Sequence, residues 1–393
     1  MKDANAPGAG YYDPDACDLD AFSALIDQTA TAAMAPRAAQ IERNVPIYDM
    51  AVLRAELEQD GKRQALMAEW ANVLRDGSGV LVLRTAYANT DVIDSATAIY
   101  EAIIAAEKKG AGGGGDHFAA AGANDRIWNS LQKLCEQAPD VFLRYFANTS
   151  IAAVCEAWLG PGYQMTAQVN LVHPGGAAQQ AHRDYHLGFQ SAEASALYPA
   201  HVHDLSPLLT LQGAVAHCDM PVESGPTKLL PFSQAYRPGY AARRRAEFRA
   251  LFEDWHVQLP LNKGDALFFN PALFHAAGAN SSKDIARMAN LLQVSSAFGR
   301  AMESVDRVKM CKLIYPHAIV ARAQGDMTAS ELTAGIAATA EGYSFPTNLD
   351  RDPPKGGLAP ETQQAYFWRA LREGIDTDAF AAHLNMMQEA QRA

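Results

Sequence analysis

At 393 residues, 49% hydrophobic and 20% charged, the chain has the make-up of a soluble globular protein, one large domain with extensions or two modest ones. Its formal charge of −11 argues against a general affinity for nucleic acid or anionic membrane, while leaving open a small ligand in a buried site. Five widely spaced cysteines without a C-x-x-C pair exclude a disulfide framework and a zinc knuckle, and read as small buried hydrophobes in a reduced, cytoplasmic setting.

The first residues, Met1-Lys2-Asp3, lead into acidic and small side chains rather than the apolar core of a signal peptide. No apolar run approaches the roughly 20 residues of a membrane span. Residues 1–45 read as a loose arm with one short helix over Leu19–Met34. From Val52 to Leu74 the apolar positions Leu53, Leu57, Leu66, Trp70 and Leu74 recur at helical spacing. Asp76-Gly77-Ser78-Gly79 breaks that helix, and Val80–Leu83 reads as a buried strand. A helix over Asp91–Lys108 follows, with Thr90 as N-cap. The loop Lys109–Gly115 lacks the Lys-Ser/Thr of a phosphate-binding loop and reads instead as a hinge, a lid or an inert surface turn.

Helical periodicity resumes over residues 126–158, which places Trp128 on a helix within reach of a cleft. From Gln164 to Ser296 the texture changes. Short β-favouring runs alternate with turns: Met165–Val172, Leu208–His217, Trp255–Leu259, Ala266–Phe269 and Met288–Val294. That pattern predicts an α+β protein with a mainly β core, an antiparallel sandwich or barrel such as a jelly roll. Helical patterns return after Met302 and close the chain over Glu361–Glu373 and Ala379–Gln391. We therefore divide it into an arm (1–45), a central domain (46–320, β core 164–296) and a C-terminal helical extension (321–393) packed on the core.

Three features in the β-rich region carry chemistry. His182 and Asp184 stand two residues apart, so an extended segment aims both side chains from one face. His275 follows the apolar run Ala266–Phe274, near a strand edge, and offers the second imidazole of a two-histidine, one-carboxylate metal face. Arg287 lies just beyond and offers a two-pronged donor for a carboxylate.

The ordered series Gln179-x-x-His182-x-Asp184, Glu223-Ser224-Gly225-Pro226-Thr227-Lys228-Leu229-Leu230-Pro231-Phe232-Ser233, His275-x-x-Gly278-x-Asn280-Ser281 and Arg287 resembles the phytanoyl-CoA dioxygenase family. Gln234 stands where that family's Pro-x-Ser-His segment ends in a histidine that is not a ligand. The resemblance implies a double-stranded β-helix fold (jelly roll, cupin-like) with helical additions at both ends. It implies Fe(II) held by His182, Asp184 and His275, and 2-oxoglutarate paired through its far carboxylate with Arg287. Gln168, Asn170 and Ser281 are implied helpers of the oxo acid or of Arg287. The implied activity is a dioxygenase reaction with O2, in which an unactivated C–H of a small molecule is hydroxylated and succinate and CO2 are released. Asp184 favours this over halogenation, for which related enzymes carry a small residue there. The bare residues leave two other readings open: a cupin-like metalloenzyme without an oxo acid, and a non-catalytic binding protein on the same scaffold.

The remaining candidates have plainer readings beside the functional ones. His182 and His186 have the spacing of a helical zinc pair, but Arg183 replaces the glutamate that such a motif needs. Tyr185, His186 and Phe189 instead border the expected substrate pocket, while His173 and His217 are second-layer or simply buried. The arginines Arg237, Arg243, Arg244, Arg245 and Arg249 read as the solvated face of a helix, with contact to an anionic substrate as the alternative.

Overall fold

The computed structural model describes residues 10–109 and 122–393; the glycine-rich loop predicted from Lys109 lies, from Gly110 on, outside the described residues. Among the described residues there are ten strands: β1 (Gln40–Glu42), β2 (Val45–Asp49), β3 (Val80–Arg84), β4 (Asn124–Ile127), β5 (Gln164–Val172), β6 (Thr210–Ala216), β7 (Lys228–Leu230), β8 (Ala266–Phe269), β9 (Phe274–Ala276) and β10 (Arg287–Ser295). Eight form one mixed sheet in the order β1-β2-β3-β8-β6-β10-β5-β4, in which β2 and β3 run parallel and the other neighbours antiparallel; β7 and β9 pair separately.

Alternation along the strands sorts the side chains into two environments. On β10, Met288, Leu292 and Val294 enter the main apolar core, whereas Arg287, Ala289, Leu291 and Gln293 border a cavity. On β5, Met165, Ala167 and Val169 face the core while Gln168 and Asn170 face the cavity. On β6 the same division separates Leu211 and Val215 from Gln212, Ala214 and Ala216. Register then aligns Gln293 with Gln212, and sets Leu291 between Ala214 and Gln168. The sheet thus presents one apolar face to helices and one face with amides to the cavity.

The helices Asp60–Arg75, Asp91–Lys109, Ser130–Gln137, Pro139–Phe146 and Thr149–Leu159 cover the apolar face and bury Trp70, Tyr100, Leu131, Leu134 and Phe142 completely. The same core continues into the C-terminal helices Arg307–Gln324, Ala329–Thr339, Gln363–Glu373 and Thr377–Gln391, where Tyr315 stacks on Phe380 with ring centroids 3.7 Å apart. No helix among the described residues is long and apolar enough to cross a membrane.

Several expectations needed correction. Residues 10–45 are not loose. The helix Leu19–Ile26, capped by Asp18, ends short of Met34 and wedges Phe22 and Ile26 against Phe248, Phe252 and Phe274. The helix expected over Val52–Leu74 is broken into Met50–Leu53, a 3-10 turn Arg54–Glu58 and Asp60–Arg75, since Leu53 and Leu57 bury inward from separate turns. Thr90 does stand at the N-cap, its carbonyl accepting from the Asp94 N–H at 3.0 Å, and the Asn89 side chain accepts from the Asp91 N–H at 2.9 Å. The run Trp255–Leu259 is no strand. Trp255 ends a helix and Val257 makes an isolated bridge to Leu229. Finally, residues 124–127 form the edge strand β4, so Trp128 sits in the turn after a strand.

Candidate active site

The extended segment at His182 and strand β9 approach each other as an antiparallel bridge. The His182 N–H donates to the His275 carbonyl at 3.0 Å and the His275 N–H returns the bond at 3.1 Å. Arg183 anchors this segment from behind. The residue is 2% exposed, and its guanidinium donates to the Ser233 and Tyr236 carbonyls at 2.7 and 2.9 Å and lies over the Tyr240 and Phe274 rings. A side chain at Gly239 would collide with it, since a Cβ there would stand 2.0 Å from Arg183 Cζ. With Arg183 turned into the protein, His182 and Asp184 on either side share the opposite face, as i and i+2 residues of an extended chain do.

The two imidazoles and the carboxylate converge. His182 Nε2 stands 3.7 Å from Asp184 Oδ1 and His275 Nε2 stands 3.5 Å from Asp184 Oδ2. One ligand atom from each of the three lies within 4.8 Å of the others, the one such cluster among the described residues. Each imidazole has its Nδ1 at 2.8 Å from a backbone carbonyl, Gln180 for His182 and Leu273 for His275. That bond fixes the Nδ1–H tautomer and leaves both Nε2 lone pairs aimed at the shared point. Gln212 Nε2 donates to Asp184 Oδ2. Burial pulls the His182 pKa down, against the pull of Asp184. Burial pushes Asp184 up, but the two imidazoles and Gln212 outweigh it and hold the carboxylate below its usual range. Two imidazoles with fixed tautomers beside an ionised carboxylate form a donor set that fits a divalent transition metal.

This cluster forms part of the wall of a cavity of about 730 Å³. Arg287 borders it from the start of β10, 6% exposed, with Nη1 donating to the Ser224 carbonyl at 3.3 Å. Burial lowers its pKa to about 10, so it is still a cation at neutral pH. The Ser-Gly-Pro motif explains its place. Gly225 has φ +75, and a Cβ there would meet the Ala279 carbonyl oxygen at 2.3 Å. Gly278 is equally confined, with a Cβ position 2.7 Å from the Pro226 carbonyl oxygen. The two motifs therefore pack backbone to backbone, which sets the Ser224 carbonyl against Arg287. Asn280 closes the loop by donating to the Val172 and Ile285 carbonyls at 3.0 and 2.7 Å. Gln234 ties the end of the motif to the chain break before β3, donating to the Gly77 carbonyl at 2.8 Å.

Of the other predicted site residues, Gln168, Asn170, Trp128 and Phe189 line the cavity. Ser281, Tyr185 and His186 do not. The Ser281 hydroxyl donates to the Glu223 carbonyl at 3.1 Å and so reaches Arg287 only through the Glu223-Ser224 backbone. Tyr185 is buried beneath the site with φ 60, and His186 Nδ1 turns to the Ser206 hydroxyl at 3.1 Å. His173 pairs with Asp125 at 2.7 Å and His217 is buried between Thr97 and Tyr145, both off the cavity. The structure adds residues that sequence reasoning missed. Arg126 lines the cavity, donating to Gln168 Oε1 at 2.9 Å and stacking on Trp128. Gln212, Thr227, Gln293 and Met302 also line it. So does Arg243, which departs from the solvated face expected for its cluster, whereas Arg237 and Arg245 pair with Asp204 and Glu247. Gln212 carries a usable signal, as the one amide in the strand run Leu208–Ala216.

The chain is similar to two solved structures from nogalamycin biosynthesis. The non-haem alpha-ketoglutarate-dependent epimerase SnoN is 20% identical, with 59% of this chain and 84% of that one covered at a TM-score of 0.43. The non-haem alpha-ketoglutarate-dependent carbocyclase SnoK is also 20% identical, with 61% and 87% covered at 0.42. No curated protein matches the sequence. The family model for phytanoyl-CoA dioxygenase matches residues 75–289, a span that runs from the end of the Asp60 helix into the start of β10 and takes in both histidines, Asp184 and Arg287. With more than half of its length matched, the chain belongs to the phytanoyl-CoA dioxygenase family, and as an enzyme of that family uses Fe(II), 2-oxoglutarate and O2.

Proposed function

We propose that the protein hydroxylates an unactivated C–H bond of a small molecule, within a double-stranded β-helix (jelly-roll) domain spanning 46–320 and extended by the helices of 321–393. The observation that carries this reading is the convergence of His182, Asp184 and His275 on one point of a cavity that also holds the buried cation Arg287. In this reading the three converging side chains hold Fe(II), and Arg287 pairs with the far carboxylate of 2-oxoglutarate. Bound together, the iron and the oxo acid would react with O2 to supply an oxidant able to remove hydrogen from an unactivated C–H, one oxygen atom going to succinate as CO2 is released and the other to the substrate.

The chain's own residues do the rest. The Gln180 and Leu273 carbonyls hold the imidazole tautomers, and Gln212 orients the Asp184 carboxylate. Arg287, desolvated and fixed by Ser224, offers a preorganised partner for an anion. Gln168 and Asn170 face the cavity from β5 and supply amides near the oxo acid or the metal ligands. Trp128, Phe189 and Met302 border the remaining space, where substrate is held and water excluded.

Succinate release coupled to O2 uptake, measured with a panel of small molecules, tests the reading. Stimulated succinate with an oxygenated product is the expected result; Asp184→Ala should abolish both turnover and stoichiometric Fe(II) binding. Undiminished activity in Asp184→Ala would refute the ligand set. A desaturated, epoxidised, cyclised or epimerised product would keep the site and change the reaction.

A further inference from the structure

Four arginines border the cavity, and three have evident partners or roles. Arg183 is committed to the Ser233 and Tyr236 carbonyls. Arg126 is bonded to Gln168 and stacked on Trp128. Arg287 is the anchor for the oxo acid in the reading above. Arg243 is left. Its Nη2 donates to the Gly188 carbonyl, its buried Nε has no hydrogen-bond partner, and no carboxylate among the described residues forms an ion pair with it. The nearest carboxylate influence on it is Asp184, itself surrounded by the two imidazoles.

Charge balance makes this residue informative. Among the described residues, Asp184 is the one carboxylate on the cavity wall. A divalent iron and a dianionic oxo acid cancel each other, so loading the site leaves the excess of guanidinium groups in place. A desolvated guanidinium without a counter-charge is costly, and a polar donor without an acceptor more so than one that is paired. Such a group is tolerated where a ligand completes it. Phe189 follows the Gly188 carbonyl that Arg243 holds, and Trp128, Leu291 and Met302 supply apolar surface to the same cavity.

We infer that the primary substrate is an organic acid, its anionic group paired with Arg243 and its apolar or aromatic body lying along Phe189 and Trp128. This rests on the oxygenase reading, and Arg243 acts in it as a specificity residue that leaves oxo-acid binding to Arg287.

The test is calorimetric binding to protein loaded with Mn(II) and saturating 2-oxoglutarate, so that Arg287 is already occupied. The probes are 3-phenylpropionate, indole-3-acetate and decanoate, each beside its primary amide. At least one acid is expected to bind tenfold or more tightly than its amide. Arg243→Gln should erase that ratio while changing the Kd of 2-oxoglutarate less than twofold, which also shows that the variant is folded; Arg243→Lys should retain most of it. Acids that bind no better than their amides across the panel, or a ratio that persists in Arg243→Gln, would overturn the inference. Failure of wild-type protein to bind 2-oxoglutarate, or unchanged binding in Arg287→Gln, would instead overturn the oxygenase reading beneath it.

Discussion

Asp184 depends on its neighbours for both charge and direction. Burial alone would favour the protonated acid, yet the imidazoles and the Gln212 amide keep it ionised. Gln212 is the neighbour that can be removed without touching a ligand. Gln212→Leu is expected to keep the fold and lower Fe(II) affinity about 10–100-fold, the usual cost of losing an outer partner of a ligating group. Metal titration followed by spectroscopy checks it, and an unchanged affinity would show that Asp184 needs no orienting donor. The three converging residues were readable in the chain as candidate ligands, because two of them share one short extended segment and the third ends an apolar strand run. Arg243 was not. Its four arginine neighbours in sequence suggested a solvated face, and only the short helix Gly239–Ala242 and the turn that follows it set Arg243 apart from Arg237 and Arg245.

At the scale of elements, the site is held by loops pressed together rather than by long strands. The Glu223–Thr227 turn packs on the Ala277–Ser281 loop through Gly225 and Gly278, and Arg287 takes its position from the Ser224 carbonyl. Gly225→Ala places a methyl against a carbonyl oxygen at a positive φ, a strain of about 1–3 kcal/mol. We expect a lower urea midpoint together with a raised Kd for 2-oxoglutarate, since the turn must move away from Arg287. A loss of stability with unaltered 2-oxoglutarate affinity would separate the turn from the anchor. The glycine motifs were visible in the sequence, but their mutual contact was not, because backbone packing between distant loops leaves no local periodicity. The same limit explains β4: four residues on a sheet edge are too few to show alternation, so Trp128 read as helical.

Across the whole molecule, one apolar core joins the sheet to helices from both ends of the chain. Within it His217 is buried between Thr97 and Tyr145, near the rings of Tyr100 and Tyr145, and burial pulls its pKa down to about 3. The folded protein therefore keeps this imidazole neutral, while the unfolded chain takes up a proton near the ordinary value of about 6.5. As pH falls from about 6.5 towards 3, the unfolded state binds more protons and stability declines, by about 1.4 kcal/mol per pH unit for this group. Above 6.5 its contribution is constant. Urea midpoints at several pH values should show a shallower acid slope in His217→Gln than in the parent, whatever the absolute stabilities. Parallel slopes would mean that His217 is protonated in the folded state as well.

The sequence by itself determined the family, the metal-ligand candidates, the buried arginine proposed to anchor the oxo acid and most of the central strands. Those features rest on short-range physics: the two-residue period of extended chain, the conformational demands of glycine, and apolar runs bounded by turns. Only the tertiary structure decided what surrounds them. It brought Gln212 to Asp184, packed the N-terminal helix behind β9, drew Tyr185, His186 and Ser281 away from the cavity and turned Arg243 into it. Each depends on contacts between segments far apart in the chain, where burial and missing counter-charges, rather than local pattern, set the role of a side chain.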